Sequence, residues 1–143
     1  MLSNSSKYAL KAVLYLAVHA NAAHKIGAKD LAQPINVPRA YLSKLLQELS
    51  RNQLVSSAKG PHGGFYLSEE NLKVQLIDII NVLDGEDRLT SCMLSLEKCN
   101  ADHPCPMHKL LGNTKANFLH RLEHTTVSDL VSDIEKGISF LPL

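Results

Sequence analysis

The 143-residue sequence predicts a mainly α-helical fold with one small β-hairpin. Three observations point there. Apolar residues recur at a three-four spacing along most of the chain, as one buried helical stripe requires. Between residues 54 and 67 that period gives way to two strand-like runs around Gly60-Pro61-His62-Gly63-Gly64, a sequence built to turn. Hydrophobic residues make up 45% of the chain and Trp is absent, so the core must be built from Leu, Ile, Val and Ala.

The first helix is expected over Ser6–Ala20, with Leu10, Val13, Leu14, Ala17 and Val18 on its buried stripe. Ala9, Ala12 and Leu16 make a second side apolar, which suggests contact beyond the helix's own domain. A short helix over Ala28–Gln33 is expected to stop at Pro34, which cannot extend the hydrogen-bond ladder. Pro38 suits the first turn of the next helix, and Leu42, Leu45, Leu46 and Leu49 give that helix one apolar face. Leu54–Lys59 and Phe65–Leu67 read as the strands of the hairpin. A helix over Val74–Leu83 ends at Asp84-Gly85, and residues 86–106 show no clear period. Beyond them, Met107, Leu111, Thr114, Phe118 and Leu122 form the stripe of a long helix. Thr126 and Asp129 form a capping box for a last helix ending at Gly137.

Charge divides the chain. Residues 1–73 hold nine Lys/Arg and four Asp/Glu, a formal +5, whereas residues 74–143 hold six and ten, a formal −4. A basic half joined to an acidic one predicts that only the first meets a polyanion. Lys11 interrupts the apolar run Leu10–Ala23, which argues against a signal peptide, and no run approaches the ~20 apolar residues of a membrane span. Three cysteines within fourteen positions do not make a secreted disulfide framework. A reducing cytoplasm is the expected setting.

Two short helices joined by a tight turn, the second amphipathic, form a helix-turn-helix pattern, whose second helix reads the major groove of double-stranded DNA. Its outer face would offer Arg39, Tyr41, Ser43, Lys44 and Gln47. Arg, Ser and Gln can hydrogen-bond base edges, and Lys can serve bases or phosphates. The hairpin that follows carries Lys59, His62 and Gly63 at a glycine-rich tip, which lets backbone approach phosphates or a minor groove closely. Helix-turn-helix followed directly by such a wing is a far more specific signal than either part.

Lys7-Tyr8-Ala9-Leu10-Lys11-Ala12, Tyr41-Leu42, Leu54-Val55 and Lys59-Gly60-Pro61-His62-Gly63-Gly64-Phe65 together resemble the Rrf2 family of bacterial winged helix-turn-helix transcription regulators. The similarity covers about residues 1–130. It implies a homodimer on a partly palindromic operator, with the long helix after the cysteines as the dimer interface and its Phe118 and Leu122 between the subunits. The sequence departs from the family's pattern at three places. His62 stands in a tip that is commonly all glycine, Pro38 where a Ser often opens the recognition helix, and Ser43 where one branch carries a discriminating Glu. Operator sequence is therefore not transferable from relatives.

Cys92, Cys99 and Cys105 are spaced C-x6-C-x5-C, and Cys105-Pro106-Met107-His108 follows. Three thiolates and an imidazole suit a soft metal or an iron–sulfur cluster. In a straight helix, residues 92 and 99 would lie about 10 Å apart, so the segment must fold back for the ligands to meet. The spacing resembles the family's cluster-binding branches, which implies a [2Fe–2S] or [4Fe–4S] cluster on Cys92, Cys99, Cys105 and His108. In some relatives an acidic side chain of the partner's first helix completes the site. Here the first acidic residue is Asp30, which leaves His108, and secondarily His103, as the fourth ligand. Metal-free thiol sensing, a structural zinc and inert cysteines are the competing readings.

No phosphate loop, dinucleotide fingerprint or serine elbow is present, which points away from catalysis. An iron–sulfur carrier would explain the cysteines but leave the wing idle. The expected organisation is a winged helix-turn-helix at 1–84, a sensor loop at 85–106, and dimerisation and C-terminal helices at 107–143.

Overall fold

A computed structural model describes residues 2–95 and 97–143. Helix α1, Asn4–His19, begins two residues earlier than the apolar spacing predicts, because Ser3 caps it by accepting from the backbone N–H of Ser6. Its buried face is only in part the expected one. Ser6, Ala9, Ala12, Val13 and Leu16 are buried, whereas Leu10, Leu14, Ala17 and Val18 lie half-buried at the core's edge. Small side chains at 6, 9 and 12 allow neighbouring backbones to approach closely, so the closest packing falls on the less hydrophobic face.

Helix α2, Ala28–Ile35, runs through Pro34, which was expected to stop it. The proline forgoes a single hydrogen bond in the last turn, and Asn36 then ends the helix in the left-handed region at φ 55°. Helix α3, Arg39–Arg51, starts after Pro38 and buries Leu42, Leu45, Leu46 and Leu49, as their spacing predicts. The strands are shorter than expected. β1 is Ser56–Ala58, and β2, Gly64–Tyr66, pairs with it antiparallel, Ser57 opposite Phe65. On its other side β2 is held by Ile26, which exchanges two backbone hydrogen bonds with Phe65 (3.0 and 2.8 Å).

One element escaped the sequence reading. Helix α4, Glu69–Leu72, is fixed by a capping box between Ser68 and Asn71. Asn71 is buried, with Nδ2 donating to the Gln53 carbonyl (3.0 Å) and Oδ1 accepting from Ser56 Oγ (2.6 Å), so it ties α4 to the base of the wing. Helix α5, Leu76–Asp84, buries Leu76, Ile77, Ile79 and Ile80. Helix α6, His108–Glu123, buries Leu122 alone among its residues. Helix α7, Val127–Glu135, carries the expected Thr126–Asp129 capping box.

These elements share one core, in which α1 packs against α5, α7 and α3. Leu122 is 8% exposed and belongs to that core, so the expectation that it lies between subunits is corrected. The chain's own α5 and α6 pack together and cover it before any partner could. Among the described residues, no helix is long and apolar enough to cross a membrane.

Candidate nucleic-acid interface and cysteine loop

At 3.6 residues per turn, Arg39, Ser43, Gln47, Lys44 and Arg51 share an outer arc of about 140° on α3. Arg39, Lys44, Gln47 and Arg51 are exposed and Ser43 half-buried. Tyr41 falls outside that arc, about 200° around from Arg39 and next to the buried leucines. Its ring stands edge-on to Tyr8 at 5.8 Å, and its hydroxyl bonds Ser5 Oγ at 2.5 Å. Tyr41 therefore anchors the recognition helix to α1 and is half-buried, whereas the sequence reading placed it among the groove-facing side chains.

A groove runs between α3 and the wing, lined by Gln47, Ser50, Arg51, Ser57, Lys59 and Phe65. Ser50 Oγ and Ser57 Oγ lie 2.9 Å apart and fasten the helix to β1. At the tip, Lys59 and His62 are exposed, and the Gly63 N–H donates to the Gly60 carbonyl (2.9 Å). A side chain at Gly63 would collide with the carbonyl oxygen of Ala58. Gly64 is equally constrained, since it sits at φ 148° and an added Cβ would lie 2.8 Å from the Ile26 carbonyl carbon. Lys59 of the wing and Arg51 of α3 thus line the same groove, with His62 exposed at the tip. Arg51, paired with Glu48 at 3.0 Å, was absent from the sequence candidates although it lies one turn beyond Gln47.

The cysteine segment folds back, as the spacing argument requires. Ser91 bridges Lys98, the Cys92 N–H donates to the Glu97 carbonyl (2.7 Å), and the Cys99 N–H donates to the Thr90 carbonyl (3.3 Å). Cys99 Sγ lies 3.3 Å from His108 Nδ1, while Cys92 and Cys105 stand half-buried nearby in the chain. The backbone N–H of Leu94 donates to Cys92 Sγ (3.5 Å) and, with the Cys105 side chain, holds that thiol below its ordinary 9.0. All three cysteines are free. Among the described residues, no three His, Cys, Asp or Glu side chains converge as a metal centre. The donor set fits an iron–sulfur cluster in kind, and all four donors lie in one loop and the helix start that follows it. His103 is exposed, its N–H bonded to Asn100 Oδ1.

The residue just before this loop and one residue within it are tied to neighbouring helices. Asp84, the last residue of α5, accepts from Ser3 Oγ (2.5 Å) and from the fully buried Ser6 Oγ (2.6 Å), both on the first turn of α1. Lys115 of α6 reaches back to the Ser91 carbonyl. A mostly apolar cavity lies beneath, lined by Leu89, Cys92, Met93, Leu111 and Phe118. The stripe expected on α6 therefore faces the chain's own cysteine loop. Sequence reasoning also passed over His120 and His124, four residues apart on α6, although that spacing was legible.

The profile of the Rrf2 family, described as iron-dependent transcriptional regulator, matches residues 2–133. A candidate HTH-type transcriptional regulator of Aquifex aeolicus is 34% identical over 140 residues, covering 96% of each chain. The HTH-type transcriptional regulator IscR of Sodalis glossinidius is 25% identical, over 94% of this chain and 80% of its own. Among solved structures, the global cysteine regulator CymR of B. subtilis superposes with a TM-score of 0.73 at 27% identity, covering 92% of this chain and 96% of its own. The fold is also that of T. potens IscR, with a TM-score of 0.72 at 24% identity over 98% and 92% of the two chains. With the helix-turn-helix, the wing and nearly the full length matched, this chain belongs to the Rrf2 family of DNA-binding transcriptional regulators.

Proposed function

We propose that the protein is a cytoplasmic homodimer that binds a partly palindromic operator and reports redox, nitric oxide or iron–sulfur status through a cluster on Cys92, Cys99, Cys105 and His108. The observation that carries this reading is the folded-back loop, which gathers three free thiols and an imidazole between α5 and α6. A [2Fe–2S] or [4Fe–4S] cluster supplies redox and nitric-oxide reactivity when bound.

The chain's own residues supply the rest. Arg39, Ser43, Lys44 and Gln47 meet the major groove, and Lys59, His62 and Gly63 meet the backbone beside it. Tyr41 sets the angle of α3 through Ser5. Drawing Cys92 and Cys105 together with the Cys99–His108 pair moves the loop relative to Asp84, which holds the start of α1 through Ser3 and Ser6. That turn also carries Ser5, the partner of Tyr41. Sensor and reading helix are thus two hydrogen-bonded steps apart. Dimerisation is supported by α6, which buries one residue within the chain and leaves Leu110 70% exposed, and by exposed Ile138 and Phe140 near the C-terminus.

A second reading, metal-free thiol sensing, is favoured by the lowered Cys92 thiol, held so first by the Leu94 N–H and then by the Cys105 side chain. Anaerobic purification with a visible spectrum and iron and sulfide analysis separates the two. The cluster reading expects stoichiometric iron and sulfide, abolished by Cys92→Ala and made more labile by His108→Ala. A colourless, iron-free protein whose operator affinity still responds to oxidation would support the thiol reading.

A further inference from the structure

The opposite end of α6 carries a second ligand pair that the sensor does not use. His120 and His124 are exposed one turn apart, their rings stacked at 4.1 Å between centroids with 20° between planes. Leu122, between them in sequence, points into the core and fixes this turn with the two imidazoles outward. His124 Nδ1 lies 2.8 Å from the carbonyl oxygen of His120. That oxygen can only accept, so Nδ1 is the donor, and in the neutral imidazole Nε2 is the nitrogen left for a ligand. A ring nitrogen held this way is the state in which histidine ligates a metal, its other N–H fixed by a carbonyl.

We propose that His120 and His124 form a bidentate site for a divalent transition ion (Ni²⁺, Cu²⁺ or Zn²⁺) at the C-terminal end of α6. Imidazole selects these ions over Mg²⁺ and Ca²⁺, which require oxygen donors. With the His124 ring held by that bond, the His120 ring, 4.1 Å away between centroids, is the one that turns to share an ion with it. The second imidazole then binds intramolecularly, at an effective concentration that strengthens the site by about 10²-fold over a lone histidine. Solvent fills the remaining positions. His108 starts the same helix, twelve residues and about 18 Å from His120, so it cannot share the ion. The site is therefore independent of the cysteine loop. Because His124 caps α6, chelation staples its last turn just before the link to α7.

The test is Ni²⁺ titration of the full-length chain by calorimetry, with Cys92, Cys99 and Cys105 replaced by Ser to remove competing thiolates. One saturable ion per chain is expected, with His120→Ala and His124→Ala each weakening it about 10²-fold and His62→Ala leaving it unchanged. Cu²⁺ bound to the same protein should show two nitrogen couplings by electron paramagnetic resonance, reduced to one in either variant. Ni²⁺ should raise Tm only where both histidines remain. Both side chains are exposed, so the metal-free variants should melt as the parent does. Unchanged Ni²⁺ affinity in either single variant, or no saturable binding in the parent, overturns the proposal.

Discussion

The reading head and the cysteine loop are built by opposite strategies. The head is fixed before it meets a ligand. α3 is anchored by four buried leucines, Tyr41 is bonded to α1, and β2 is clamped between β1 and Ile26. Among its described residues the loop buries only Leu89, and there its four donors share no common centre. A rigid head keeps recognition precise, because base contacts tolerate little displacement. A loosely held loop costs little to rearrange, so a bound group or an oxidant can reshape it. The difference teaches that the two regions should fail differently when mutated.

The largest effect should come from breaking the core they share. Leu122→Asp places a carboxylate among α5 and α6 residues and should destabilise the monomer itself by about 3–5 kcal/mol. Thermal denaturation should show it as a loss of Tm at all protein concentrations. A variant that keeps the parental Tm and merely dissociates would restore the interface role. Next is Gly64→Ala, which strains the wing at φ 148° against Ile26 and should cost about 1–3 kcal/mol. Its DNA affinity should fall while iron content is unchanged, which sharpens the separation of head from loop.

Charge removal should act more mildly. Lys59→Ala should weaken binding to all sequences and reduce the salt slope by about one, whereas Arg39→Ala should relax preference at particular base pairs. Equal salt slopes for Lys59→Ala and the parent would remove the wing from the interface. The smallest effect concerns acid. The Thr126 backbone N–H and hydroxyl hold Asp129 below its ordinary 3.8, so the ionised cap stabilises the fold above that value. This contribution is lost as pH falls through the folded value, and Asp129→Asn should flatten that part of the acid-denaturation profile.

Much of the head was legible because its signals are local. The Leu42, Leu45, Leu46 and Leu49 spacing marks a helix, and the glycines mark a turn whatever surrounds them. The buried face of α1 was legible in part: Val13 lies on the expected stripe and Ala9, Ala12 and Leu16 on the second apolar side, but a hydrophobic pattern favours Leu10 and Leu14 and gives no sign of Ser6. Helix α4 was missed because Asn71 replaces the usual Glu or Gln of a capping box. Tyr41 looked like a base reader because a tyrosine near the start of a recognition helix gives no hint of which way it turns. The approach of Cys99 to His108 depends on backbone hydrogen bonds at Thr90 and Glu97, whose side chains carry no sign of it.

The central claim is that the loop's state sets the head's affinity. Its most direct test is anaerobic titration of one natural operator with cluster-loaded and apo protein at fixed salt. Coupling through Asp84 and Tyr41 predicts that the two affinities differ about 5–150-fold, and that operator alters cluster retention by the same factor. Asp84→Asn, which weakens the hold on Ser3 and Ser6, should shrink that ratio while leaving the iron content intact. Equal affinities of loaded and apo protein for every natural operator would contradict the account and leave the cysteines a structural role.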